Sequence, residues 1–379
     1  MRLLFTFSGG TGHFLPTLPL ARAAAAAGHE VAYACQEPMV ERVRAAGFDA
    51  HETGGRTLLA PGERLPLLEL DLQRERDAVT HGFAGRTARE RAQRVREVAE
   101  RLRPDVVVRE ELDFGAAVAA EALGQPHATV LSIAAGEFDW VELAAAPLNE
   151  LRAEHGLPPD PELAFLERDL VLSPFPPSFR ARPLPPTGVA LRPTFEEPGE
   201  PWPESEHPLV WLTLGTVFNQ ESGDLFERAL AGLAQLPVAV VATVGRELDP
   251  SFLGQQPSRV RIEQYVPQAR LLRACALVVA HAGSGSVIGA LAHGVPMVLL
   301  PIGADQPQNA RRCEELGAAV ALDSFRATAD DVRGAAAQVL ADDSYRAAAE
   351  RVRDEIAALP PPKTAVPLLE RLANRRSSA

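Results

Sequence analysis

Cysteine is scarce in this sequence: only Cys35, Cys275 and Cys313 occur in 379 residues. Their wide spacing excludes a disulfide framework and gives no zinc-binding pattern. No apolar run reaches the roughly 18 residues that a transmembrane helix needs, and the apolar stretch at the N-terminus is too short for a signal peptide. We therefore expect a soluble, cytoplasmic protein that does not insert into a membrane.

Positive charge is also in short supply. The sequence has 38 Lys and Arg residues against 50 Asp and Glu residues, which gives a net charge of −12. Nucleic acids and anionic membranes require a basic surface, so we expect neither of them as a partner. The hydrophobic content, by contrast, is 46%, which is enough to form a large buried core.

Short apolar strands alternate with helices along the chain, a pattern typical of parallel sheets in α/β folds. The same pattern restarts at Leu209, after the proline-rich stretch 174–208. We therefore predict two doubly wound, Rossmann-like domains at residues 1–200 and 201–362. The proline-rich stretch is expected to have little regular structure and to supply a stiff linker at about residues 193–208. A last helix is predicted within residues 363–379.

The first candidate site lies where strands one and four of the first half end, because ligands of doubly wound sheets bind beyond these carboxyl ends. Strand one leads into S-G-G-T-G and His13, and strand four into Glu110 and Glu111. A carboxylate beside a histidine orients the ring as a general base. The alternative is that His13 only caps a helix and Glu110 is solvated. The dinucleotide fingerprint is not matched, because Leu15 stands where a small residue is required.

A second set of small and polar residues follows the strands of the second half. His281 precedes G-S-G-S at residues 283–286, where small side chains let the backbone approach a ligand and a helix start attracts anions. This pattern favours a diphosphate site over a plain turn. Asp305 and Gln306 could bind sugar hydroxyls or form a surface turn. Tyr265 could stack on a base or belong to the core.

These motifs resemble those of a known family. Residues 281–310, H-A-G-S-G-S-V-I-G-A-L-A-H-G-V-P-M-V-L-L-P-I-G-A-D-Q-P-Q-N-A, resemble the nucleotide-sugar signature of GT-B glycosyltransferases of family 1. Y-V-P-Q at 265–268 and the opening motif S-G-G-T-G-H-F-L-P match too. The resemblance covers essentially the whole chain and is weakest at residues 55–100 and 135–205. It points to the bacterial subgroup that glycosylates polyketides, macrolides and other secondary metabolites.

The resemblance implies a GT-B fold, with an acceptor domain facing a nucleotide-sugar domain across a cleft and the last helix packing back on the first domain. It also implies an inverting, metal-independent sugar transfer without a further cofactor, and the sequence has no D-x-D metal motif. His13 would be the general base, with Glu110, or Glu111 after a register slip, as its acid partner. The residues implied in donor binding are His281, Gly283, Ser284, Gly285 and Ser286 at the diphosphate, Thr216 at the phosphates or sugar, Asp305 and Gln306 at the sugar, and Tyr265 and Val266 at the base.

One departure from the family bears on the donor. Uridine-using plant members have a glutamate that holds both ribose hydroxyls, and Gly289 stands at that position here. A deoxyribose has no 2′-hydroxyl to hold, so we expect a dTDP-sugar in preference to a UDP-sugar.

The acceptor is expected to be a small hydrophobic natural product, bound by the variable segments 54–77 and 134–157. Phe114, Phe138 and Trp140 could line its pocket or pack in the core. The alternatives are a lipid-linked sugar transferase, a sugar-nucleotide 2-epimerase and a non-catalytic activator with the same fold. The arginine-rich helix at 86–103 is expected to be a solvated face, which disfavours a membrane-docking enzyme. We expect a monomer or a homodimer.

Overall fold

The computed structural model describes residues 1–54, 64–195, 200, 202–203 and 205–376. In the first half, parallel strands form one sheet in the order β3-β2-β1-β4-β5-β6-β7. The strands are β1 Arg2–Thr6, β2 Glu30–Cys35, β3 Asp49–Glu52, β4 Val106–Glu110, β5 His127–Val130, β6 Leu170–Ser173 and β7 Gly188–Ala190. Strand β1 is central, and its Leu3, Leu4 and Phe5 are all buried because helices cover both faces of a parallel sheet.

The helices of this half are α1 Thr11–Phe14, α2 Leu18–Ala26, α3 Val40–Ala45, α4 Leu72–Asp77, α5 Ala88–Leu102, α6 Phe114–Ala122 and α7 Trp140–Glu154. A π-helical segment, Ala78–Thr87, leads into α5. Helices α1 and α2 follow β1 and are separated by a break of three residues. Pro16 lies at the break because proline has no N–H group to continue the helical hydrogen bonds. The break leaves His13 in its own turn of helix, directly after β1.

The second half repeats the architecture with a sheet in the order β10-β9-β8-β11-β12-β13. Its strands are β8 Leu209–Thr213, β9 Ala239–Thr243, β10 Val260–Glu263, β11 Cys275–Ala280, β12 Met297–Leu299 and β13 Ala319–Ala321. Its helices are α8 Leu225–Leu233, α9 Gln268–Leu272, α10 Ser284–Ala292, α11 Gln306–Glu315, α12 Ala329–Ala341 and α13 Asp343–Ala358. In both sheets strand one lies between strands two and four, as predicted. No helix in the part of the chain described has the length and apolar character needed to cross a bilayer.

The last helix, α14 Val366–Arg376, returns to the first half. Its Leu369 and Leu372 are buried in the same apolar cluster as Leu20 and Ala21 of α2. Where the chain crosses back, the Arg192 N–H donates to the Pro360 carbonyl over 2.8 Å, so the two connections between the halves are hydrogen-bonded to each other.

The proline-rich stretch is more ordered than the sequence suggests. The expectation of little regular structure over 174–208 is wrong for its first part, because β7 pairs in parallel with β6 and Phe179 is fully buried. Strand β7 is the edge of the sheet, and an edge tolerates nearby prolines since only one side of it is hydrogen-bonded. Of the predicted linker, residues 196–199, 201 and 204 lie outside the described residues.

Segment 134–157, expected to be variable loop, contains the 15-residue helix α7, which carries Pro147 in its interior. Asp139 caps this helix by accepting from the Glu142 N–H group.

The expectation of a solvated face at residues 86–103 is wrong at one position. Arg91 of α5 is only 1% exposed, and its guanidinium forms an ion pair with Asp113 and donates to the Thr53 hydroxyl. A buried charge is tolerated when it is paired and hydrogen-bonded. Arg91 therefore joins the end of β3 to the start of α6, beside the loop that carries Glu110.

Candidate active site

The first edge of the site is built around His13. The chain turns at Gly9, whose φ of +117° is one that L side chains rarely adopt. A Cβ atom at Gly9 would lie 2.6 Å from Cδ2 of His13, so glycine is required for the imidazole to lie against the turn. The Gly9 N–H group donates to Gln36 over 2.8 Å, which fixes the turn from strand β2. Phe83, from the π-helical segment, lies 5.9 Å from the His13 ring.

Glu110 is the partner of His13. The distance from His13 Nδ1 to Glu110 Oε1 is 3.1 Å, and the glutamate side chain is fully buried. The carboxylate also accepts from the Leu112 N–H group and the Ser132 hydroxyl, so its position is well determined. With Nδ1 donating to Glu110, Nε2 is the nitrogen that can accept a proton. The arrangement is that of an oriented general base.

The electrostatics of the pair favour a basic imidazole. Burial lowers the pKa of His13, but the charge of Glu110 and the hydrogen bond to it outweigh burial, so that the pKa is raised from 6.5. Asp305 and Glu111 act in the same direction. Asp305 belongs to the second half, so a charge of that half contributes to the pKa of His13.

Glu111 forms its hydrogen bonds with backbone groups and not with His13. Its Oε2 atom accepts from the N–H groups of Ser132 and Ile133, over 3.0 and 3.1 Å. Burial raises the pKa of Glu111, against the opposing charge of Arg180. Glu111 therefore holds the loop after β5, whereas Glu110 orients the imidazole.

The second edge of the site is built around His281, at the end of β11. Ideal Cβ atoms at Gly215 and at Gly283 would each lie 2.5 Å from His281 Nε2, so the ring lies between two glycines. Burial lowers the pKa of His281 to about 4, which makes the ring neutral at physiological pH. It can therefore act on an anion through an N–H group and not as a permanent cation. Thr216, next to Gly215, is exposed beside this ring.

Helix α10 begins three residues after His281, with Gly283 as its N-cap residue and Ser284, Gly285 and Ser286 in its first turn. The N–H groups of a first helical turn point outward and attract anions. No atom lies within 4 Å of a Cβ placed at Gly285, so the approach to this turn is open. The predicted diphosphate site therefore coincides with an accessible helix start.

The Ser284 side chain forms hydrogen bonds that the sequence does not predict. Its hydroxyl donates to Asp305 Oδ2 over 2.6 Å and accepts from the Ala134 N–H group over 2.8 Å. Ala134 belongs to the first half of the molecule. The Ser284 hydroxyl therefore joins the two halves, and only its backbone N–H remains for an anion.

Asn309 is a site residue that sequence reasoning missed. It is fully buried, and its Nδ2 donates to Asp305 over 2.7 Å and to the Ala282 carbonyl over 3.0 Å, while its Oδ1 accepts from the Ala135 N–H group over 3.1 Å. The spacing could have identified Asn309 as a neighbour of Asp305, because it lies four residues later and so on the same helical face.

Asp305 and Gln306 differ in their hydrogen-bond partners. Asp305 uses Oδ2 for Ser284 and Asn309, and burial raises its pKa despite these hydrogen bonds. Gln306 is 1% exposed, and its Oε1 accepts from the N–H groups of Ile302 and Gly303. The Gln306 carbonyl group thus holds its own loop together.

Tyr265 and Val266 follow β10, at the far side of the second edge. Tyr265 is 43% exposed, whereas Val266 is buried in the core. The guanidinium of Arg246 lies 3.7 Å from the centre of the Tyr265 ring, a cation–π contact not expected from the sequence. Arg246 and Tyr265 line an open cavity of about 710 Å³ together with Pro250, Ile262, Glu263 and Gln264.

The aromatic residues considered for the acceptor pocket form one cluster. Trp140 lies 5.3 Å from Phe138 in a stacked arrangement and 5.6 Å from Phe114 in an edge arrangement, measured between ring centres. Phe114 is buried, and all three rings belong to the apolar cluster around α6 and α7. Packing in the core therefore accounts for Phe114. Residues 55–63 of the other acceptor segment lie outside the described residues.

Comparison with known proteins agrees with this geometry. Residues 227–372 match the family model of the erythromycin biosynthesis protein CIII-like C-terminal domain. The chain is similar to the TDP-daunosamine transferase DnrS of Streptomyces peucetius, with 31% identity over 99% of this chain and 97% of that protein. Its structure is similar to the spinosyn forosaminyltransferase SpnP (TM-score 0.80, 28% identity, 99% of both chains). It is also similar to the glycosyltransferase VinC in complex with dTDP (TM-score 0.78, 25% identity, 99% of this chain and 100% of that one).

Two facing doubly wound sheets with a polar site between them define this protein as a glycosyltransferase of the GT-B fold, which confirms the fold and the enzyme class predicted from the sequence. The chain belongs to the bacterial family 1 glycosyltransferases of secondary metabolism.

Proposed function

We propose that this enzyme transfers a sugar from a dTDP-sugar to a hydroxyl group of a small hydrophobic natural product, such as a polyketide or macrolide, with inversion at the anomeric carbon. One observation carries the proposal: His13 is held by Glu110 as an oriented base, and Ser284, at the start of the helix beside His281, is hydrogen-bonded to Ala134 of the same half as His13. The similarity to a TDP-daunosamine transferase and to a structure in complex with dTDP supports the choice of donor.

The reaction follows from this geometry. His13 Nε2 takes the proton of the acceptor hydroxyl as the oxygen attacks the anomeric carbon. The bond from that carbon to the diphosphate breaks, and the diphosphate leaves with the electron pair on the opposite face. The N–H groups of the first turn of α10 and the neutral His281 ring donate hydrogen bonds to the departing oxygens. These donors supply the stabilisation that a metal would otherwise give, so the proposed mechanism is metal-independent.

The proposed base makes the reaction dependent on pH. Because His13 must be unprotonated, kcat/KM is expected to rise with pH through an apparent pKa above 6.5, the direction that Glu110 imposes. In Glu110→Gln the negative charge is lost, so this limb should move to lower pH while maximal turnover falls. Glu111→Gln is the matched control, since Glu111 makes no hydrogen bond to His13, and its shift should be smaller. Steady-state rates from pH 5 to 9 test this, and an equal shift in both variants would contradict the assignment.

Calorimetry can measure the expected preference for dTDP over UDP. A Cβ at Gly289 would lie 3.2 Å from Gln268 Oε1 and from Leu272, so these two side chains crowd any larger residue at this position. We expect dTDP to bind at least as tightly as UDP. Measuring dUDP as well separates the effect of the thymine methyl group on affinity from the effect of the 2′-hydroxyl, because dUDP lacks both groups. A strong preference for UDP over dUDP would overturn the interpretation of Gly289.

The proposal as a whole is tested by a donor–acceptor matrix read by mass spectrometry. Purified enzyme is incubated with dTDP- and UDP-sugars and a panel of polyketide and macrolide aglycones. We expect a mass increase of one sugar on at least one aglycone with a dTDP-sugar. Transfer only to a polyprenyl phosphate, or epimerisation of the donor without transfer, would contradict it.

A further inference from the structure

A segment of the first half lies on the second half. Residues 64–77, called the strap below, include the extended chain 64–71 and helix α4. The Leu65 N–H donates to the Gln220 carbonyl over 2.6 Å, and the Gly223 N–H donates to the Leu65 carbonyl over 3.1 Å. This is a strand-like bridge between segments about 155 residues apart, and backbone hydrogen bonds of this kind fix register as well as contact.

Side chains add to this docking along the whole strap. Leu67 packs against the core of the second half, close to Gly223. Arg64 lies over the ring of Phe252 at 4.0 Å. Glu69 forms an ion pair with Arg326 over 3.1 Å, but both side chains are largely exposed, so solvent screening leaves this pair little energy.

Glu75, in α4, reaches the loop expected to hold the donor sugar. Its Oε2 accepts from the Ala304 N–H group over 2.9 Å. Its Oε1 would lie 3.1 Å from a Cβ placed at Gly303, where Phe218 is equally close. The carboxylate thus binds Ala304 and lies on the side of Gly303 where a Cβ atom would stand.

Glu75 binds the backbone at Ala304, a residue with an unfavourable conformation. Ala304 has a φ of +53°, in the left-handed region that an alanine rarely adopts. The same turn sets the direction of Asp305. The hydrogen bond that the Ala304 N–H donates to the Glu75 carboxylate favours this conformation, because hydrogen bonds to a charged acceptor are the stronger ones.

We propose that Glu75 is a positioning residue for the donor sugar: it holds the Gly303–Ala304 turn so that Asp305 faces the sugar. This inference rests on the proposed function, in which Asp305 binds the sugar. Glu75 comes from the acceptor half, so the sugar subsite is complete only when the strap is docked. The diphosphate site at His281 and α10 does not include Glu75, so its loss should affect the sugar and spare the nucleotide.

The test compares binding of dTDP and dTDP-glucose by calorimetry in four proteins: the wild type, Glu75→Ala, Glu75→Gln and Glu69→Ala. Glu75→Ala is expected to weaken dTDP-glucose binding about tenfold or more while dTDP affinity changes less than twofold. Glu75→Gln keeps an oxygen that accepts from Ala304 and should restore most of the affinity. Glu69→Ala, which removes an exposed ion pair of the same strap, should match the wild type.

Three results would overturn the inference. These are equal losses for dTDP and dTDP-glucose in Glu75→Ala, no loss in that variant, or a loss in Glu69→Ala as large as in Glu75→Ala, which would mean that docking of the strap alone matters. The wild-type arm separates this from the proposed function. A wild type that binds neither ligand contradicts the proposed function itself, whereas a wild type that binds both and equals Glu75→Ala contradicts only the role of Glu75.

Discussion

Replacing His13 by alanine is expected to lower turnover by about 10²–10⁴-fold, the usual contribution of a positioned general base. The acceptor hydroxyl would then lose its proton to water, because alanine has no group that accepts a proton. The affinity for dTDP should change little, since the His281 and α10 site lies on the other half of the molecule. Turnover in the donor–acceptor assay and calorimetry with dTDP measure the two effects separately.

A His13→Ala variant with near-normal turnover would refute the base assignment. A loss of dTDP affinity as large as the loss of turnover would show that His13 acts on donor binding. The Glu110→Gln variant gives an independent check, because it leaves the imidazole in place and changes only its partner.

Replacing Gly283 by alanine is expected to lower dTDP affinity by about tenfold to a hundredfold, since a hydrogen bond to a charged group contributes about 1.5–3 kcal/mol. The backbone at Gly283, with φ −62° and ψ 143°, suits alanine. The new Cβ would, however, lie 2.5 Å from Nε2 of His281 and displace the ring. Calorimetry with dTDP measures the loss.

The same variant has a second readout. Burial holds the pKa of His281 at about 4, and a displaced ring should titrate closer to 6.5, which an NMR titration would detect. Gly334→Ala is the control, because a Cβ there has no atom within 4 Å. Unchanged dTDP affinity in Gly283→Ala, with the His281 pKa still near 4, would refute the predicted contact.

The sequence predicts the parts of the site that depend on local rules. Strand ends and strand order suffice to bring His13 near strand four. The choice between Glu110 and Glu111 could not be made, because successive side chains of a strand point in opposite directions and a slip of one residue exchanges them. The structure shows that Glu110 faces His13.

The residues that the sequence did not reveal depend on contacts between distant segments. Glu75 is 229 residues from Ala304, and Ser284 is 150 residues from Ala134. The periodicity of a helix or strand predicts only neighbours within the same element, so it does not predict pairs this far apart in the sequence. Helix α12 is a different case, since the capping box formed by Thr328 and Asp331 marks its start in the sequence.

The two connections between the halves limit the ways in which the halves can separate. Because the Arg192 N–H is bonded to the Pro360 carbonyl, the outgoing and returning chains meet at one place. Away from that place, the bonds of Ala134 to Ser284 and of Glu75 to Ala304 also join the two halves. A movement that separated the halves at the cleft would therefore have to break both of these bonds, one beside the predicted diphosphate site and the other beside the predicted sugar site.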